Sequence, residues 1–270
     1  MYSCGIDIGS VSTEAVILKS SENNMENFEI CSYVIGRTGS DIKTASESIF
    51  NDALAKAKIN KKDINGIIAT GYGRKNVSIA DRDITEITCH ASGVLSVFPD
   101  VKTIIDIGGQ DSKVIKIDKF IKKPIDFLMN DKCAAGTGRF LEVMAKALDI
   151  ELEAFGKIFA ETNERIEITS TCTVFAESEI VSLIGHGVDK RKIVKGLLYS
   201  VADRIISMIS RLGIEEPVAL TGGVAKNSGI SGAIEEKLGT KLLIPFEPQI
   251  TGALGAAVLA LKIAKAKQLL

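Results

Sequence analysis

Along this chain the spacing of apolar residues switches repeatedly between the two-residue period of a strand and the longer period of a helix. Tyr2 to Leu18 predicts strand, glycine-containing turn, strand: CGIDIGS and then VSTEAVILK. A polar segment (Ser20 to Asn27) leads to a further strand from Phe28 to Ile35. That is a β-meander, not the strand–loop–helix of a Rossmann or Walker-type site. Asp41 to Ile59 is helical by its stripe of Ile42, Ile49, Phe50, Ala53, Leu54 and Ala57. Gly66 to Thr70 is an apolar strand ending in the turn Gly71–Tyr72–Gly73–Arg74, and a helix covers Asp83 to Phe98. Further on come a strand from Pro124 to Met129, helices over Arg139 to Leu148 and Glu151 to Glu161, a strand from Arg165 to Ser170 and a helix from Val174 to Leu183. Ile193 to Leu212 is the clearest amphipathic helix, and its stripe is core. Pro217 to Thr221 and Lys241 to Pro245 are strands, Ser228 to Leu238 a helix, and Gly252 to Ala266 a closing Ala/Leu helix.

Within this series one pattern occurs twice. Thr103 to Ile117 (TIIDIGGQDSKVIKI) parallels Gly5 to Ile17 (GIDIGSVSTEAVI). Each copy has a buried strand delivering Asp near its end, a glycine turn, a hydrophilic bend and an alternating strand. A lone Asp–x–Gly turn is weak; two copies about a hundred residues apart, each opening a meander, point to a duplicated lobe. Two such turns would form a phosphate cradle. Backbone N–H groups of Gly9 to Ser12 and of Gly108, Gly109 and Gln110 would meet oxygens, aided by the hydroxyls of Ser10, Ser12 and Thr13. Asp7 and Asp106 would hold Mg²⁺ through its waters, which the ion gives up reluctantly. The alternative is that both Asp residues only cap turns. Gly222–Gly223–Val224–Ala225 after an apolar strand admits either adenosine or a plain strand-to-helix turn. The small-residue run Gln249 to Ala257, with Gly252 in it, is either close helix packing at a lobe hinge or a helix start.

Composition narrows the partners. With 33 basic and 34 acidic residues, interspersed, the chain offers no electrostatic case for nucleic acid. No apolar run approaches membrane length and MYSCGIDIGS lacks a signal-peptide pattern, so a cytoplasmic address is expected. In that reducing setting five cysteines do not make a disulfide framework. Cys4, Cys31 and Cys89 read as small buried hydrophobes. Cys133 and Cys172 differ. NDKCAAGTGRF places Cys133 in a small-residue loop, with Gly136 and Thr137, that opens a helix; STCTVFAESE repeats the strand-to-helix setting at Cys172. A helix start offers free N–H groups and the positive end of the dipole, both favourable to an anion or thiolate.

The two phosphate turns, the adenosine turn and two connecting segments stand in the order of the acetate and sugar kinase, Hsp70 and actin superfamily, which the chain resembles. With NDKCAAGTGRF, STCTVFAESE, ATGYGR, EITCHA, IDIGGQDSK and LTGGVAKN the resemblance sharpens to the ATP-dependent activators of 2-hydroxyacyl-CoA dehydratases. ATPase subunits of benzoyl-CoA reductases and reductases of double-cubane cluster proteins are related. The resemblance spans nearly the whole chain. It implies an α/β fold of two RNase H-like lobes (actin/Hsp70-type) with mixed central sheets and a nucleotide cleft between them. The first lobe would cover residues 1–100 and the second 101–270, with the last helix (251–268) packing back on the first.

It also implies a homodimer in which Cys133 and Cys172 of each subunit ligate one shared [4Fe–4S] cluster, a cubane needing four thiolates. Zinc is the rival metal, since four thiolates suit it as well. Expected cofactors are thus ATP/ADP, Mg²⁺ and that cluster. The expected role is an oxygen-sensitive ATPase that takes an electron from ferredoxin or flavodoxin and injects it into a dehydratase-type or double-cubane iron–sulfur partner. The nucleophile should be water, oriented by Gln110, Asp111 or Glu86. Glu86 and His90 equally suit a bonded pair bracing the hinge, and His186 a helix C-terminal cap. A small-molecule kinase using Asp106 or Asp111 as base, and a scaffold with structural zinc, are the other classes.

Overall fold

The computed structural model describes residues 1–20, 27–169 and 172–268. In chain order the elements are β1 (Tyr2–Ile8), β2 (Ser12–Ser20), β3 (Phe28–Arg37), α1 (Ile42–Ala57), β4 (Ile64–Thr70), β5 (Arg82–Asp83) and α2 (Glu86–Val97). Next are β6 (Thr103–Ile107), β7 (Ser112–Ile117), β8 (Pro124–Asn130), α3 (Gly138–Leu148), α4 (Phe155–Glu161), α5 (Thr173–Gly185) and α6 (Lys190–Leu212). The chain closes with β9 (Val218–Thr221), α7 (Ser228–Leu238), β10 (Leu242–Leu243) and α8 (Thr251–Gln268).

Contacts divide these into two compact units. The first comprises Met1–Val101, Ile117–Ile125 and Gln249–Leu270, the second Lys102–Lys116 and Asp126–Pro248. Each is built on a five-stranded mixed sheet, ordered β3-β2-β1-β4-β5 in the first and β10-β9-β6-β7-β8 in the second. In both, an antiparallel hairpin (β1/β2, β6/β7) abuts a parallel neighbour (β4, β9). The register repeats as well: Asp7 faces Glu14 across one hairpin and Asp106 faces Lys113 across the other.

In the first unit Ile6, Ile8, Ile17, Ile49, Phe50 and Ala53 form a core between the sheet and α1. Asp41 starts α1 by accepting the N–H and O–H of Thr44, so the helix begins where its first orphan donors are satisfied. The other face of the sheet is covered by α8, which meets β1, β2, β4 and α2. Small residues make this possible. A Cβ on Gly5 would strike the Ala253 carbonyl, one on Gly93 the Thr251 carbonyl, and one on Gly255 the Cys89 carbonyl. Among the described residues α8 with its short lead-in (Pro248–Lys267) is the one helix long and apolar enough to cross a membrane, yet 67% of that stretch is buried. Its apolarity belongs to a core helix, which the expectation of no such span had passed over. In the second unit the large core runs along α6 (Ile193, Leu197, Leu198, Val201, Ile205) and takes in Phe140, Met144 and Phe155.

Three expected elements differ. Residues 165–169 form no strand; the Ile166 N–H bonds the Lys192 carbonyl and its own carbonyl abuts Gly196, so the partner is helix α6 and no ladder exists (Ser170 lies outside the described residues). The strand expected over Lys241–Pro245 shrinks to Leu242–Leu243, parallel to β9, with the Glu235 side chain taking the Leu242 N–H. The helix expected from Asp83 starts at Glu86, because Arg82–Asp83 pairs with β4 and Thr85 caps α2. Most of the polar segment Ser20 to Asn27 lies outside the described residues.

Gly255→Ala should cost at least about 3 kcal/mol, since backbone has to move to admit the methyl group. A thermal melt should fall by roughly 6 °C or more; an unchanged melt would mean that α8 does not pack this tightly.

Candidate functional site

In the first unit the hairpin turn closes with the Gly9 N–H on the Ser12 carbonyl (2.9 Å). Ser10 is exposed and Ser12 half-buried. Thr13, by contrast, is 1% exposed, and its hydroxyl pairs with that of Thr38 (2.9 Å), which in turn donates to the Gly9 carbonyl (2.8 Å). Thr13 therefore braces the turn from behind. Asp7, 7% exposed, sits in a niche that only small neighbours permit. A Cβ on Gly71 would collide with its Oδ1 and one on Gly252 with its Oδ2. Gly71 has φ +83°, a conformation natural to glycine. His90 Nε2 stands 4.0 Å from Asp7 Oδ2, and His90 Nδ1 lies 3.3 Å from the Thr251 hydroxyl. The Gly73 N–H, donating to the Ile8 carbonyl (3.0 Å), fastens the ATGYGR turn to the end of β1. Gln249 Nε2 donates to Ser12 Oγ and Glu14 Oε1, both at 3.0 Å.

The second unit repeats the closure: the Gly108 N–H meets the Asp111 carbonyl at 2.9 Å. Asp106 (2% exposed) accepts from the Thr221 hydroxyl at 2.9 Å through Oδ1, and its Oδ2 lies 3.4 Å from Lys113 Nζ. Lys113 is equally buried and also reaches Asp111 Oδ1 at 2.8 Å. A buried charge is tolerable only when paired in this way. Gln110, further along the turn, is exposed. From β9 the chain enters Gly222 at φ +86°, where a Cβ would strike the Ile107 backbone, and its N–H donates to the Pro248 carbonyl (2.9 Å). Gly223 starts a short 3₁₀ turn in which Val224 and Ala225 are buried.

The cysteine loop is tied directly to the second turn. The N–H groups of Gly138 and Arg139, which open α3, donate to the carbonyls of Gly108 (2.9 Å) and Gly109 (2.8 Å). The Ser112 hydroxyl donates to the Gly136 carbonyl (2.5 Å). These two helix-start donors are therefore not free for an anion, as the sequence had suggested. Thr137, fully buried, gives both its N–H and its hydroxyl to the Ala134 carbonyl, and Asn130 Nδ2 clamps the carbonyls of Cys133 and Ala135. Gly136 and Thr137 thus shape the loop from within.

Cys133 is half-buried on the edge of the core, and Cys172, also half-buried, is the N-cap of α5, which packs on α3. Next to it the Thr173 hydroxyl is buried without a hydrogen-bond partner among the described residues. The other three cysteines differ. Burial pushes the Cys4 thiol far up and that of Cys89 up to about 12; Cys31 is half-buried, with its thiol raised by burial and by Glu29. His186 caps α5 from an exposed position, its Nδ1 2.7 Å from the Ser182 carbonyl.

Lys113, Glu14, Thr38 and Thr221 were missed by sequence reasoning. The signal lay in the repeat: a charge sits at the same place in two strands that are otherwise buried, Glu in one and Lys in the other.

Two mixed sheets, each with an Asp-bearing hairpin turn closed by the same backbone bond, define the actin and Hsp70 class of nucleotide-binding proteins. The chain belongs to the BadF/BadG/BcrA/BcrD ATPase family, whose model matches residues 4–260. It is 45% identical over 269 residues to the activator of lactoyl-CoA dehydratase of Anaerotignum propionicum, covering 99% of this chain and 100% of that one. It is 43% identical over 263 residues to the (R)-2-hydroxyglutaryl-CoA dehydratase activating ATPase of Acidaminococcus fermentans, covering 97% and 98%. The solved structure of the activator of the 2-hydroxyisocaproyl-CoA dehydratase from Clostridium difficile with bound ADPNP superposes with a TM-score of 0.91 at 44% identity, covering 99% of this chain and 97% of that one.

Brief alkylation of the metal-free folded protein at pH 8 should modify Cys133 and Cys172 and spare Cys4 and Cys89, read by peptide mass spectrometry. Equal labelling of all four would contradict the burial described.

Proposed function

We propose that the protein is an ATP-hydrolysing electron-transfer activator that works as a cytoplasmic homodimer and passes a low-potential electron to a partner of the 2-hydroxyacyl-CoA dehydratase or double-cubane type. Ferredoxin or flavodoxin would supply that electron. The observation that supports this reading is the strap between Gly108–Ser112 and the Cys133 loop, because it would join a turn that takes phosphate to a loop that carries a cluster ligand.

The nucleotide assignment follows from the turns. In each, the N–H groups beyond the closing glycine would meet a phosphate, Ser10 to Ser12 in the first unit and Gly109 and Gln110 in the second, since those of Gly9 and Gly108 are spent on closing the turns. Asp7 and Asp106 would hold Mg²⁺ through its waters, and their burial beside fixed neighbours suits this, since the carboxylates cannot swing away. Gly222 to Ala225 would lie against adenosine, on a turn that Gly222 keeps close to the end of β6 because it has no Cβ to strike Ile107. Phosphate drawn to the second turn shifts the Gly108 and Gly109 peptides, and their carbonyls are what the start of α3 holds. The helix and its cysteine loop must follow.

The donor set fits a shared cluster. Among the described residues no group of three or more His, Cys, Asp or Glu side chains could hold a metal within one chain. Cys133 and Cys172 are two thiolates of the four a cubane needs, and a second copy brings the others. The Thr173 hydroxyl, buried next in sequence to Cys172 and without a partner among the described residues, would be available as a donor to sulfur. When bound, the cluster supplies a one-electron couple whose potential depends on such hydrogen bonds and on exposure. A second copy also has a face to use. On α5, Val174 and Phe175 are 67% and 68% exposed next to Cys172, and Val181 continues the stripe two turns on. Three relatives serving three different acyl-CoA dehydratases leave the substrate to the partner enzyme.

Protein reconstituted under anaerobic conditions should carry about four irons and four sulfides per dimer. The EPR spectrum of the reduced form should differ between ATP and ADP. Zinc in place of iron, or a metal-free protein that still hydrolyses ATP, would contradict the redox role and turn attention to the scaffold or kinase. Replacing Val174 and Phe175 together by Ser should yield a folded monomer that holds no cluster, measured by light scattering and iron content. A dimer that keeps its iron after this change would place the shared face elsewhere.

A further inference from the structure

Each hairpin turn carries a buried charged residue directly across from its Asp, but the sign is inverted. In the first unit Asp7 faces Glu14, which accepts from Gln249; in the second Asp106 faces Lys113. The backbone closure of the two turns is the same. The lysine is therefore a specialisation of the second turn and not a requirement of the hairpin.

Lys113 spans two carboxylates of unequal exposure. The side chains of Lys113 and Asp106 are each 3% exposed, that of Asp111 29%. The ammonium holds Asp111 by Oδ1 at 2.8 Å, and Gly108 closes on the same oxygen, where a Cβ would stand 2.6 Å away. Asp111 is thus fixed from the buried side while part of its carboxylate reaches solvent at the mouth of the turn. Gln110, its neighbour, is exposed. One ammonium between two carboxylates also leaves the turn with a single net negative charge, which lessens its repulsion of a nucleotide phosphate.

Resting on the nucleotide reading above, we propose that Lys113 is a positioning residue of ATP hydrolysis, pinning Asp111 as the acceptor that orients the attacking water. The water oxygen bonds the γ-phosphorus as the bond from phosphorus to the β–γ bridging oxygen breaks, and ADP leaves with that electron pair. The water's proton passes through Asp111 to solvent, which its partial exposure allows. Asp106 stays behind as a fixed carboxylate, held by Thr221 and Lys113.

Steady-state ATPase assays of the anaerobic holoprotein, with ADPNP binding measured in parallel, test this on Asp111→Asn, Lys113→Met and the double variant. Asp111→Asn should lower kcat by roughly 100-fold while ADPNP affinity changes by less than about threefold. Lys113→Met should lower kcat comparably, and the double variant should be no slower than the slower single one, as expected for residues acting as a unit. Where Lys113→Met fails to fold, Lys113→Arg takes its place: it should slow the wild-type background and have no further effect with Asp111→Asn. Asp111→Asn within twofold of wild type, or losses that multiply in the double variant, would overturn the proposal while leaving the ATPase reading standing. A wild-type protein that hydrolyses no ATP would overturn both.

Discussion

Two main-chain hydrogen bonds, from the Gly138 and Arg139 N–H groups to the Gly108 and Gly109 carbonyls, are the constraint around which the second unit is arranged. A helix start normally leaves its first donors for a cap, water or a ligand. Here they are committed to a turn on a different strand pair, and the Ser112 hydroxyl adds a third tie to Gly136. The glycine at 138 follows from this, because a side chain there would crowd the Gly108 carbonyl and the Gly109 Cα, the stretch of backbone that α3 has to touch. What appears in sequence as two glycine-rich motifs some thirty residues apart is one connected piece of main chain.

The first unit is organised by a related constraint with a different purpose. Its small residues let α8 lie directly on β1 and α2, and the niche so formed holds the Asp7 carboxylate against Gly71, Gly252 and His90. A carboxylate walled in this way has few orientations, which would suit the hydrated divalent ion proposed for it. Glu14 and Gln249 extend that order to Ser12. The two units therefore share a hairpin but not a charge pattern, and it is the second that carries the cysteine loop.

Much of this was legible in the chain. The repeated Asp–x–Gly turn is visible because each copy lies between buried strands, and the cysteine loops because small residues and glycine interrupt otherwise regular periodicity. Other features depend on what a residue faces, which one strand does not disclose. Thr13 reads as a phosphate contact until Thr38 is seen behind it. Ile166 and Ile168 alternate like a strand, but the neighbouring backbone is helix α6, so no ladder forms. Lys113 looks like the polar face of an alternating strand; only the register, which sets it opposite Asp106 and beside Asp111, gives it a role. The free donors expected at the start of α3 were lost for the same reason, since their acceptors lie in a distant turn.

The central claim is that a phosphate at the second turn is felt at the Cys133 loop through those main-chain bonds. Hydrogen–deuterium exchange of the anaerobic holoprotein with ADPNP, compared with ADP, measures it directly. Peptides spanning residues 130–141 should exchange at different rates in the two states, together with those spanning 106–113. A difference confined to 106–113 and 221–226, with 130–141 exchanging alike, would contradict the account.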